Sequence, residues 1–103
     1  MTDVYELIRE ATLARRQVVA TYKGHRRELC PHVLGTKNGR RHGLFFQFAG
    51  GSASTLPPGG DWRCIPVDGL EEVTIRDGPW HTGVGQGDPE RCVDAIDVEA
   101  PRG

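Results

Sequence analysis

No apolar run in the 103 residues approaches the eighteen or so needed to cross a bilayer, so no membrane-spanning helix is expected. The opening "MTDVYELIRE" is charged and has no signal-peptide apolar stretch, which makes a cytoplasmic address the default expectation. Hydrophobic residues are scarce at 37%, while Gly (14) and Pro (7) are plentiful, a balance that favours short strands and turns over a helical bundle. Cysteine is sparse too. The three residues Cys30, Cys64 and Cys92 are widely spaced and odd in number, so three reduced, mostly buried thiols are expected. Zinc sites usually carry close ligand pairs such as CxxC; the nearest approach here is Cys30-Pro31-His32, and neither metal nor cofactor is expected.

Net charge is also low, at −1, but it is unevenly placed. Residues 1–63 hold ten Lys/Arg against five Asp/Glu (+5), and residues 64–103 hold three against nine (−6). A basic front and an acidic back suggest a polarised surface with anion binding on one side.

What is present reads as one domain with one helix and several strands. Asp3 with Glu6 three residues on forms a capping-box arrangement. Val4, Leu7, Ile8, Ala11 and Ala14 then form one apolar stripe at helical spacing, and Arg15 and Arg16 suit the helix C-terminus. "QVVATY" (17–22) is β-branched and "KGHR" after it reads as a turn. "RRELCPHVLG" (26–35) alternates, and Pro31 makes this strand an edge or a bulged one. Asn38-Gly39 is a strong hairpin signal, and "HGLFFQFAG" (42–50) puts Leu44, Phe46 and Phe48 on one face. The loop "GGSASTLPPGGD" (50–61) has no packing capacity and suggests a flexible or binding role. "DWRCIPVDGLEEVTI" (61–75) is two short strands about an Asp68-Gly69 bend. The last part, "CVDAIDVEA", either adds a strand or drapes over the others. The expected fold is mainly β with one N-terminal helix, an α+β domain in which five strands make a small bent barrel with the helix across one opening.

The glycine-rich "GVGQG" (83–87) lacks the strand–turn–helix context of a phosphate loop and reads as a plain loop. No local feature activates a thiol, so the protein is not expected to be an enzyme. The arginines hold more interest. Arg26 and Arg27 follow the first turn, Arg40 and Arg41 follow the second, and Arg63 begins a strand beside Trp62. Adjacent arginines point to opposite faces of a strand, so one of each pair is free to join a shared surface. Arginine interleaved with aromatics such as Tyr22 and Trp62 is what a phosphate-tracking, base-stacking site requires.

From about Leu7 to Ile75 the order of elements resembles the WYL domain. The matching residues are Tyr22, then Arg27, Leu29 and Pro31, then Asn38-Gly39. The closing segment "WRCIPVDGL" places Arg63, Ile65, Val67, Asp68 and Leu70 in register. The resemblance implies a five-stranded Sm- or SH3-like barrel and a regulatory ligand-binding module. It implies an anionic ligand, a nucleotide or single-stranded nucleic acid, held on an arginine-lined surface. Two arginines of the family pattern are replaced here by Pro66 and Gly69, and the naming tripeptide by His42-Gly43-Leu44. No winged-helix segment stands before the resembling region, so transcription-factor activity is not carried over.

Residues 1–77 are thus expected to form the helix-and-barrel domain, and 78–103 a loop and acidic extension with one added strand at most. The expected ligand surface comprises Tyr22, Arg27, Arg41, His42, Trp62 and Arg63. Arg27 and Arg63 would fork onto phosphate or carboxylate oxygens. The alternative expectation is a protein-interaction or homo-oligomeric self-assembly module without nucleic-acid binding, in which the acidic tail pairs in trans.

Overall fold

The computed structural model describes residues 3–51, 56–57, 59–83 and 92–101. Part of the 50–61 loop and most of "GVGQG" lie outside the described residues. Helix α1 (Val4–Ala14) is followed by β1 (Gln17–Tyr22), β2 (His25–Lys37), β3 (Arg40–Gly50), β4 (Asp61–Pro66), a short 3-10 turn at Val67–Gly69, β5 (Glu71–Arg76) and β6 (Ala95–Glu99). All pairings are antiparallel, in the order β4-β3-β2-β1-β5 with β6 also on β2. Among the described residues the domain is mainly β with one helical element, α1, as expected. The sheet has six strands rather than five, and among the described residues no ladder joins its ends, β4 and β5.

The sixth strand has a simple origin. β2 has 13 residues and β1 only 6, so β1 covers just the first half of β2, up to Leu29. The second half, Val33 to Thr36, is covered by β6. Pro31 falls in the gap between these two ladders, and pairs with Phe45 of β3. The β2–β3 register shifts between Pro31 and Val33, a bulge of the kind the proline foreshadowed. Both tight turns have positive φ at both central residues, 50° and 78° at Lys23-Gly24 and 51° and 78° at Asn38-Gly39. That is the type I′ geometry whose twist suits a hairpin.

The bulge also redirects side chains. Leu29 enters the main core before it, and Leu34, of opposite parity, enters the same core after it. Val33 is thereby turned outward. The main core lies between sheet and helix and includes Tyr5, Ile8, Val18, Leu29, Phe45 and Ile65. On β3 the residue that faces this inner core is Phe45, not the Leu44/Phe46/Phe48 set. Leu44 instead joins Val33, Cys92 and Val93, with Trp62 packed alongside, in a second and smaller outer cluster. On α1 the buried residues are Tyr5, Ile8, Ala11 and Thr12, so Tyr5 and Thr12 take the places expected for Leu7 and Ala14. Asp3 caps the helix by accepting from the Tyr5 N–H, and the helix stops at Ala14 with Arg15 in the left-handed conformation (φ 54°).

The expectation of three reduced thiols is overturned. Cys64 and Cys92 form a disulfide with Cα atoms 5.5 Å apart, and Cys30 is free and buried. Cys64 stands opposite Leu44 on the outer face of β4, where the chain returning toward β6 passes. A linear separation of 28 residues gives no hint of that meeting. The charge asymmetry is partly matched within the chain, since Arg9 pairs with Asp97 at 3.4 Å and Arg16 with Asp77 at 2.8 Å. Among the described residues no helix is long and apolar enough to cross a membrane.

Candidate functional site

Alternation along the strands decides which candidate residues meet. Arg63 is directly opposite Phe45 in the β3–β4 ladder and two residues before Ile65, both core residues, so its side chain starts on the inner face. Gln47, two residues beyond Phe45, is on the same face and fully buried. Arg27, two residues before Leu29, reaches that face from β2 and is only 4% exposed. The inner core therefore ends in a polar group of Arg27, Gln47 and Arg63, contributed by three neighbouring strands.

Tyr22 forms the wall of this group. The Arg27 guanidinium lies over its ring at 4.9 Å, and Arg27 Nε donates to the Tyr22 carbonyl at 3.3 Å. Arg27 Nη1 also donates to Gln47 Oε1 at 3.4 Å. The Gln47 amide nitrogen donates to the carbonyls of Ala49 and Gly51 at 3.1 and 2.9 Å, which fixes its oxygen toward the arginine. Arg63 keeps a long ion pair of 4.0 Å with Asp61, and its side chain is 19% exposed. Burial lowers the Arg27 pKa from its ordinary value, and the positive charge of Arg63 lowers it further. Two guanidinium groups thus share a poorly hydrated corner, an arrangement that favours an anion between them.

Gly69 bears on this corner as well. A Cβ built there would sit 2.8 Å from Tyr22 Cε1, so any larger residue at this position would displace the ring. Gly69 is thus the residue that lets Tyr22 close the wall.

The other expected site residues lie elsewhere. Trp62 neighbours Arg63 in sequence and so faces the opposite side, packing edge-on against Phe46 at 5.2 Å and His32 at 4.8 Å. Arg41 is on β3 near the Asn38-Gly39 turn, at the far end of the ladder from Arg27. It donates to Asp3 at 2.9 Å and covers the Tyr5 ring at 4.7 Å. His42 is beside it, between Gly35 and Pro66 in the ladders, with its Nδ1 3.2 Å from the Arg40 carbonyl. Tyr22, Arg27 and Arg63 are therefore brought together, and Arg41, His42 and Trp62 are not. Gln47 was missed by sequence reasoning, although a lone amide within "LFFQF" was a visible signal.

Among the described residues no group of three or more His, Cys, Asp or Glu is arranged to hold a metal ion. Comparison with protein-family models, curated proteins and solved structures yields no match.

Proposed function

We propose that this protein is a small ligand-binding regulatory module of the WYL type, with an Sm/SH3-like barrel as its fold. Its ligand is anionic, a nucleotide or a short stretch of single-stranded nucleic acid. Arg27 and Arg63 grip the phosphate, Gln47 orients Arg27, and Tyr22 offers the face on which a base or ring stacks. The observation that carries this reading is the arrival of two arginines from separate strands on one inward face, walled by a single tyrosine. With Trp62 on the opposite side, stacking falls to Tyr22 alone, which favours a ligand with few bases. The acidic strand that a trans-pairing module would use, β6, is paired with β2 of its own chain.

The test is a fluorescence titration with labelled oligothymidylates of two to ten nucleotides at several salt concentrations. A phosphate-gripping site must weaken as salt rises. Arg63→Ala is expected to reduce affinity by at least about tenfold, the scale of one lost charge-assisted contact. Unchanged affinity in Arg63→Ala, or no binding to any length even at low salt, would overturn the proposal.

A further inference from the structure

The outer layer differs from the inner one in being closed by a covalent bond. Among the described residues its cover is made by 77–83 and by Cys92 and Val93. Gln17 Nε2 holds the Pro79 carbonyl at 2.7 Å, the His81 N–H meets Cys30 Sγ at 3.3 Å, and His32 Nε2 lies 3.1 Å from the His81 carbonyl. Further on, the disulfide fastens Cys92 to β4, and the Asp94 N–H reaches the Thr36 carbonyl at 2.7 Å before β6 begins. Beneath this second part lie Val33, Leu44 and the flank of Trp62. Neither bonded cysteine belongs to the inner core.

The two sulfurs are unequally placed. Cys64 is an exposed residue on an edge strand, whereas Cys92 is only 2% exposed. We propose that the Cys64–Cys92 bond is a redox latch on the outer layer, cleaved by a dithiol reductant through Cys64. A reductant thiolate attacks Cys64 Sγ, the S–S bond breaks, and Cys92 leaves as a thiolate that takes up a proton. The reductant's second thiolate then attacks its own sulfur in the mixed disulfide, releasing Cys64 as a thiolate, which is protonated in turn. Two electrons pass to the protein, which ends with two thiols, and the reductant ends as a disulfide. Once the bond is cut, the Cys92–Val93 cover rests on its small aliphatic and aromatic cluster, and β6 on its ladder to β2, the contact of Val98 with the inner core and the bond of Asp97 to Tyr5. A small, partly exposed cluster of this kind opens locally while the rest of the fold persists. Opening uncovers an apolar face made by Val33, Leu44 and Trp62.

Hydrogen exchange read by mass spectrometry, on the whole chain with and without dithiothreitol, tests this. In the oxidised protein, peptides from residues 92–101 and from β1–β3 should both be protected. After reduction, residues 92–101 are expected to exchange within seconds, with β1–β3 protected about a hundredfold longer. The double variant Cys64→Ser/Cys92→Ser should behave like the reduced protein without any reductant. A monothiol should be trapped as a mixed disulfide on Cys64 and not on Cys92. Three results would each sink the latch: a non-reducing peptide map without the Cys64–Cys92 link, protection of residues 92–101 that survives reduction, or simultaneous loss of protection everywhere.

Discussion

The two faces of the sheet solve the same packing problem with different means. The inner face meets α1 and fills the space with Ile8, Val18, Leu29, Leu34, Phe45 and Ile65, each at most 1% exposed. The outer face is met in part by residues 77–83, which are without regular structure: Trp80 leans on His32 at 4.8 Å and His81 stacks on Phe48 at 4.0 Å. Apolar burial holds the first face, since it scales with area removed from water and needs no particular partner. Named contacts and one crosslink hold the second. The lesson is that a short chain with few hydrophobic residues completes one core and fastens the other.

Breaking the inner face should cost most. Phe45→Ala removes a fully buried ring and is expected to lower stability by about 3–5 kcal/mol in urea unfolding. A cost below about 1 kcal/mol would mean that the inner core is not the stabilising one. Cys64→Ser/Cys92→Ser should cost slightly less, about 3–4 kcal/mol for a bond spanning 28 residues, chiefly by freeing the unfolded chain. Should this variant prove the more damaging, the ranking of the two faces is reversed.

Smaller effects probe the seams. The Tyr5 hydroxyl donates to Asp97 at 2.6 Å and so ties the helix to β6. Burial, and then the bond and charge of Asp97, push the Tyr5 pKa up to about 12 from 10.0. Above pH 10 the unfolded chain has lost this proton while the folded protein still holds it. Stability from this group is therefore complete below pH 10 and is lost as pH rises toward 12. Tyr5→Phe is expected to cost about 1 kcal/mol at neutral pH and to flatten that alkaline decline, both measurable by thermal melts.

The smallest effect belongs to His32 on the outer face. Burial lowers its pKa below the ordinary 6.5, with the His81 carbonyl opposing and Arg15 assisting. Below pH 6.5 the unfolded chain binds a proton that the folded protein resists, so stability falls as pH drops through that value. His32→Phe should reduce this acid sensitivity, and an unchanged pH profile would show that the ring is not held neutral between the two tryptophans.

How much of this was written in the residues varies with range. β1 is "QVVATY" to the residue, and Asn38-Gly39 made the hairpin it promised. These are local matters, settled by propensity and turn chemistry. The inward side of β3 was not legible, because "GLFFQF" is apolar on both parities and only the third dimension supplies two cores. The parity change along β2 was hidden for a related reason, since a bulge leaves one proline as its only trace. The disulfide was invisible because it joins residues by place rather than by spacing. For the site, Trp62 and Arg63 were expected on one surface, although neighbours on a strand face opposite ways and alternation alone would have separated them. That Arg27 and Arg63 share a face depended on the register between three strands.

The division of β2 between β1 and β6 has a consequence for the order of folding. The β1–β2 and β2–β3 hairpins close over two-residue turns, so their loop-closure cost is small and they are expected to form early. β6 must find a strand some sixty residues before it, as Val33 finds Glu99, and so joins late. Cys92 lies just before β6, and its bond to Cys64 should follow the docking of that strand. In a refolding time course the crosslink should therefore appear only after hairpin amides are protected. Its presence then marks a finished chain, and a bond that appears first would show that the tail leads.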